Sequence, residues 1–201
     1  MNAGITADVV YEDLKALLLT AALPPGARLA PHRLARRLGA GLTPIREALF
    51  RLTGERLIEM KVNDGFHLPV MTEGVLRDLY TWNEDLVRLA LHYAGKAGAR
   101  EVPPLNKPEA PDEIGASFLG VAEAAGSSEL MSQIASCNDR LYCLRLAETK
   151  VFNDWKNEAA ELSAALNRAG RECLKMLHAY HSRRVRSSIE ILSELRLLAE
   201  V

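Results

Sequence analysis

The chain has 201 residues, room for two small domains with separate cores, and its 48% hydrophobic and 25% charged composition excludes an intrinsically disordered polymer. Aromatics make up only 5% while Leu, Ala, Glu and Arg abound, which favours helix over sheet. A formal net charge of −1 excludes a uniformly basic surface, and no apolar run approaches the ~20 residues that cross a bilayer. Met1 to Tyr11 carries Asp8 and lacks a basic-then-apolar order, so no secretory leader and no membrane association are expected. Cys137, Cys143 and Cys173 are odd in number and lack metal-type spacing. They are expected as small buried side chains in a reducing, cytoplasmic compartment.

Val10, Leu14, Leu17 and Leu18 recur at helical spacing over residues 6–20, with Thr6 as N-cap and Pro24-Pro25-Gly26 as the stop. A short helix is expected over Pro31 to Leu38, closed by Gly39. After a tight turn at 40–42, Thr43 is expected to cap a third helix with Pro44 in its first position. Ile45, Ala48, Leu49 and Leu52 form that helix's apolar face, and Thr43, Arg46, Glu47 and Phe50 its opposite face. Ile58, Met60 and Val62 alternate with polar residues, Asn63-Asp64-Gly65 signals a turn, and Phe66, Leu68 and Val70 alternate again, which predicts a β-hairpin.

Helix, turn, helix and hairpin in this order is the layout of a winged helix-turn-helix. Between Arg28 and Arg56 lie seven arginines (28, 33, 36, 37, 46, 51 and 56) against only Glu47 and Glu55, a local basic surface within a nearly neutral chain. A recognition helix needs a locked apolar face, polar groups at its N-terminal turn, and flanking cations for phosphates. Ile45, Leu49 and Leu52 supply the first, Thr43 and Arg46 the second, and Arg33, Arg36, Arg37 and Arg51 the third. The pattern also fits two packed helices with solvated arginines.

After Thr72 the chain reads as helix throughout, with helices expected near 72–98, 112–125, 127–150, 153–169 and 170–199 and a proline-rich interruption at 102–111. The expected fold is mainly α. A winged helix-turn-helix of three helices and a β-hairpin wing (1–71) precedes an all-α antiparallel helical bundle (72–201). Polar residues interrupt its apolar stripes. Asn83 lies in the Leu76, Leu79, Leu86, Ala90 stripe, and His178 and His181 in the Leu174, Val185, Ile189 stripe. Asn138, Tyr142 and Arg145 run beside Ile134, Cys137, Leu141 and Leu144. Inward polar groups either bond one another or line a pocket. Trp82 and Tyr180 are expected to pack.

Residues 10–68 resemble the N-terminal domain of the GntR family of bacterial regulators. The resemblance rests on Val10-Tyr11-Glu12, Leu23-Pro24-Pro25-Gly26-Ala27-Arg28-Leu29, Leu34-Ala35-Arg36-Arg37-Leu38-Gly39, Thr43-Pro44-Ile45-Arg46-Glu47-Ala48-Leu49, Arg51-Leu52 and Gly65 at the wing tip. It implies that Thr43 and Arg46 touch DNA and that Gly65 lets the wing approach a groove. Arg33, Arg36, Thr43, Pro44, Arg46, Arg51 and Gly65 are the candidate DNA-binding residues. Departures stand at Gly41-Leu42, where the family usually has Ser or Thr followed by Arg, at His32, and at Asn63-Asp64 in place of a basic wing turn.

Residues 72–190 more loosely resemble the helical FCD domain of the FadR-type branch. Leu79-Tyr80, Phe118, Ala124-Ala125-Gly126, Glu158 through Ala165-Leu166 and a late His carry the likeness. Many such domains bind a divalent metal through one Asp and three His, positions that fall here on Gly115, Leu119, Ala159 and His181. Three of these cannot ligate, so no metal and no cofactor is expected. Asn83, Asn138, Tyr142, Arg145, His178 and His181 are the candidate effector-binding residues, for a small organic acid. The resemblance implies a transcriptional regulator, such as a repressor, that binds an inverted-repeat double-stranded operator as a homodimer. The alternative is a DNA-binding dimer whose C-terminal domain is purely structural, with sensing lost. No nucleophile–base arrangement, phosphate loop or paired-carboxylate motif stands in the sequence, so catalysis is not expected.

Overall fold

The computed structural model describes residues 7–96, 112–168 and 170–199. The expected Thr6 cap and the proline-rich stretch at 102–111 lie outside them. The chain divides into two compact units, Met1–Met71 with Arg196–Val201, and Thr72–Leu195.

The first unit runs α1 (Ala7–Leu19), β1 (Arg28–Leu29), α2 (Pro31–Leu38), α3 (Leu42–Gly54), β2 (Glu59–Lys61) and β3 (Gly65–His67). Its core joins Val10, Tyr11, Leu14 and Leu18 of α1 to Leu34 of α2, Ile45, Ala48, Leu49 and Leu52 of α3, and Leu29, Leu57, Ile58 and Phe66. The helical spacing of these residues is why the three helices form: each buries one apolar stripe and leaves its polar face to water.

Helix α1 ends at Leu19, ahead of the expected proline stop. Pro24-Pro25-Gly26 instead builds a separate turn. The Ala27 amide donates to the Pro24 carbonyl at 3.0 Å, and Gly26 takes φ 81°, the left-handed value its missing Cβ allows. Reciprocal bonds between this turn and Leu68, at 3.1 and 2.9 Å, tie it to the chain leaving the wing. The sheet is three-stranded and antiparallel in the order β1-β3-β2. Strand β1 was not expected, because two residues are too few to show a period.

The hairpin forms where expected, but β2 has no buried side, Met60 being 56% exposed, and Val62 just beyond it is 87% exposed. The alternation marked the strand without marking a core. Helix α3 begins two residues earlier than expected. Gly41, not Thr43, is its N-cap, and Pro44 stands at the third helical position, where an amide would still lack an intrahelical partner.

The second unit is all-helical, with α4 (Glu73–Lys96), α5 (Glu113–Ala124), α6 (Ser128–Val151), α7 (Trp155–Arg168) and α8 (Arg171–Arg186), followed by α9 (Ser188–Leu198). Helix α4 packs on α5, α6 and α8, α5 on α6 and α7, and α7 on α8. Ser127 caps α6 by accepting from the Leu130 amide at 3.3 Å. The single helix expected over 170–199 is broken at Ser187, where the Ser187-Ser188 pair is a weak helix former. The inward face of α8 is also rotated from the expected one. Cys173, Leu177, Tyr180, His181 and Arg184 are buried, while Leu174 and His178 are exposed, as is Ile189 on α9. Among the described residues no helix is long and apolar enough to cross a membrane.

Candidate DNA interface and polar core of the helical unit

Helix α2 stops at Gly39, whose φ of 61° turns the chain while its amide bonds back to the Ala35 carbonyl. Three residues, Gly39 to Gly41, then lead into α3. This short connection fixes the two helices as a helix-turn-helix. The buried face of α3 locks it to α1 and α2, leaving Thr43, Arg46, Glu47 and Phe50 exposed on the outer side. Phe50 stands edge-on to Phe66 of β3 at 5.2 Å between ring centroids. At the far end, the Leu57 amide reaches the Leu52 carbonyl at 3.0 Å and that of Arg56 reaches Thr53 at 3.1 Å. This Schellman closure forces Arg56 to φ 61°.

A groove of about 580 Å³ opens between the start of α2, α3 and the wing, lined by Arg28, Pro31, His32, Arg33, Arg46 and Asp64, among others. Arg33 and Arg46 of the expected set meet here. Arg36 is exposed on α2, Thr43 on the second residue of α3, and Pro44 is half-buried against Gly41. Arg33, Arg36 and Arg46 have no ion pair among the described residues and are free to meet phosphates. Arg51 differs. It lies 3.6 Å over the Tyr11 ring and within 3.3 Å of Asp8 and 3.6 Å of Glu55, so it ties α3 to α1. Gly65 is not at the wing tip. It opens β3 opposite Lys61 with φ 82°, and Val62, Asn63 and Asp64 form the tip.

Arg28, His32 and Asp64 were not among the candidates. Arg28 counted only as part of the local arginine excess, and its place on the groove depends on β1. Asp64 is paired on both sides, with His67 Nε2 at 3.3 Å and Arg28 Nε at 3.7 Å.

In the helical unit, four of the six candidate effector residues are buried: Asn83, Asn138, Arg145 and His181. Tyr142 is half-buried. His178 is on the outside, paired with Glu84 at 3.0 Å, which removes it from any internal site. The Asn138 amide donates to the Gly115 carbonyl, and Arg145 donates to both Asn138 Oδ1 and Asp112 Oδ1, each at 2.8 Å. Burial pushes the Asp112 carboxyl up, against the lowering effect of Arg145. His181 meets the Leu177 carbonyl at 2.9 Å and Asn83 at 3.0 Å and stacks on Phe118. Burial drives its pKa down to about 3, so it is a neutral imidazole near pH 7. Neutral His181 donates from Nδ1 to the Leu177 carbonyl and so accepts at Nε2 from the Asn83 amide, which leaves Arg145 Nε as the buried donor of this core without a partner among the described residues.

Residues missed by the sequence reading complete this core. Arg184 is buried with Glu148 at 2.8 Å and Glu158 at 2.7 Å, and Tyr80 donates to Glu148. A Cβ at Gly115 would collide with the Asp112 carboxylate and the Arg145 guanidinium. The absent side chain at 115 is therefore what lets this ion pair form, and an Asp there has no room without displacing Arg145. Trp82 was expected to pack, yet it is 49% exposed. Among the described residues, no group of three or more His, Cys, Asp or Glu is placed to hold a metal ion.

Residues 6–68 match the family described as bacterial regulatory proteins, gntR family. The chain is 35% identical over 85 residues to the HTH-type transcriptional regulator McbR of Escherichia coli K12, a match spanning 42% of this chain and 38% of that protein. It is 39% identical over 70 residues to the Nta operon transcriptional regulator of Aminobacter aminovorans, spanning 35% of this chain and 33% of that protein. These matches thus span well under half of either relative. The E. coli McbR/YncC structure has the same fold, with a TM-score of 0.67 at 20% identity over 92% of this chain and 97% of that one. A GntR transcriptional regulator of Rhodococcus sp. RHA1 gives 0.66 at 17% identity over 91% and 97%. Over residues 6–68 the chain is a domain of the gntR family of bacterial regulatory proteins.

Proposed function

We propose that this protein is a DNA-binding transcriptional regulator, not a catalyst, that reads an inverted-repeat operator as a homodimer in the cytoplasm. The observation that carries the reading is the free arginine surface of the helix-turn-helix. Arg33 and Arg46 line one groove beside the wing, with Arg36 on the same short α2. One recognition helix spans few base pairs, so two-fold pairing supplies specificity. The outward residues Val75, Trp82 and Leu89, at seven-residue spacing on α4, support the FCD-like helical unit as the dimerising part.

The same unit is the candidate effector domain. Arg145 Nε is a buried donor in want of an acceptor, which favours a small organic acid. The bonds among Asn138, Arg145, Asp112, Asn83 and His181 favour the second reading, a purely structural core. A thermal-shift screen of organic acids separates them, since a ligand of the native state raises its melting temperature and a structural core gives no shift. The DNA reading is tested by selection from a pool of randomised duplexes. Enrichment of a two-fold-symmetric sequence is expected. A pool that stays random after repeated rounds overturns the reading.

A further inference from the structure

Asp64 stands alone as an acid on a groove otherwise lined by Arg28, His32, Arg33, Arg46 and apolar residues. Its side chain is 54% exposed, at the tip of the wing. One oxygen, Oδ2, faces His67 Nε2 at 3.3 Å, and His67 is itself buried in β3. The other, Oδ1, looks towards Arg28 Nε at 3.7 Å, too long for a hydrogen bond. The carboxylate is thus held from behind while its outer oxygen keeps its accepting capacity. His67 and Arg28 both favour an acid at this position, yet a wing that only followed phosphates would be better served by a cation.

We propose that Asp64 is a specificity-determining residue, whose outer oxygen accepts a hydrogen bond from the guanine amino group in the minor groove under the wing and disfavours A·T pairs there. This inference rests on the DNA-binding reading above. Its chemistry follows from the groove edges. In the minor groove A·T and T·A pairs show only acceptors, and the guanine N2 amino group is the one donor. A carboxylate has only acceptor atoms to offer, so it gains a bond at G·C and meets like polarity at A·T. Narrow A-tract minor grooves carry an enhanced negative potential, which adds a repulsion for Asp64 and a preference for cations in its place.

The test uses the full-length protein and the duplex enriched by selection. Hydroxyl-radical footprinting first locates the base pairs protected in the minor groove outside the α3 contacts. Three duplexes then carry G·C, A·T or inosine·C at those pairs, since inosine lacks the amino group and keeps the major-groove face of guanine. The wild type is expected to bind the G·C duplex about five- to tenfold more tightly than the other two. Asp64→Ala should bind all three within about twofold, with its gain on A·T largest at low salt. Asp64→Asn keeps a neutral acceptor and should retain a preference for G·C over inosine·C. Equal binding of the wild type to the three duplexes overturns the proposal, as does an Asp64→Ala protein that keeps the wild-type ratios. If the wild type binds no duplex at all, the DNA-binding reading fails instead, and the two failures are distinct.

Discussion

Seven arginines cluster between positions 28 and 56, and their roles divide by what lies within reach of each guanidinium. Arg46 projects from the outer face of α3 into the groove. Arg51, five residues on, is turned back over Tyr11 and between Asp8 and Glu55. Arg51→Ala is therefore expected to cost about 1 kcal/mol of stability, the scale of an exposed pair with a cation–π contact. Operator affinity should change less than in Arg46→Ala. Urea unfolding beside a DNA titration checks this, and a selective loss of DNA binding with unchanged unfolding would make Arg51 a DNA contact. Sequence alone placed both arginines on a basic surface. It gave Arg46 to base edges and Arg51 to phosphates, and the turning away of Arg51 was not legible because Tyr11 and Asp8 come from α1, some 40 residues away.

His181 carries a second residue-scale expectation. It is neutral in the fold down to about pH 3 and protonates near 6.5 when free, so the unfolded chain binds the extra proton between those values. Its stabilising contribution is complete above pH 6.5 and is lost as the pH falls towards 3, by about 1.4 kcal/mol per pH unit. His181→Gln should flatten the fall in unfolding free energy between pH 6.5 and 5 by about 2 kcal/mol. Parallel pH profiles for the two proteins would show that His181 is not held neutral.

At the scale of elements, a helix-interior glycine is usually a weakness, and replacing it with Ala in an exposed helix gains about 1 kcal/mol. Gly115 should reverse that sign. Its Cβ position is filled by the Asp112–Arg145 pair, so Gly115→Ala on α5 is expected to destabilise the protein by about 1–3 kcal/mol. Denaturant unfolding decides it, and a stabilised variant would place the ion pair elsewhere. The opposite sign is expected at Arg56, which sits at φ 61° in the Schellman closure of α3. Arg56→Gly relieves that strain and should leave stability unchanged or raise it by up to about 1 kcal/mol. A clear loss in the same assay would contradict this.

Elements with a clear apolar period were legible in the sequence: α2 has the expected bounds, α1 ends one residue before the expected end and α3 starts two residues before its expected start. What escaped was decided by tertiary contact. Strand β1 exists through its pairing with β3, and the α8–α9 break redirects a stripe that read as continuous. Leu174 and His178 read as one stripe with His181, yet His181 is buried and the other two lie on the outer face of α8. For the same reason Asn83, Asn138 and Arg145 are legible as inward polar residues from the stripes they interrupt, whereas nothing in the sequence singles out the buried Arg184 and Glu148.

At the scale of the whole molecule, the proposal of a regulator requires two recognition helices on one operator. Trp82 and Leu89 on the outward face of α4 are the apolar residues a second copy would cover, so the protein should sediment as a dimer at micromolar concentration. Trp82→Glu should shift it towards monomer and weaken operator binding more than random-DNA binding. A wild type that stays monomeric with and without DNA would sink the two-fold model. The central claim is that α3 and the groove beside it form the DNA interface, and Arg46→Ala on the selected duplex tests it most directly. Fluorescence anisotropy against that duplex and a scrambled one should show a loss of about 1–3 kcal/mol on the selected sequence, larger than the loss on the scrambled one. Wild-type affinity of Arg46→Ala for both duplexes would contradict the assignment of α3 as the recognition helix.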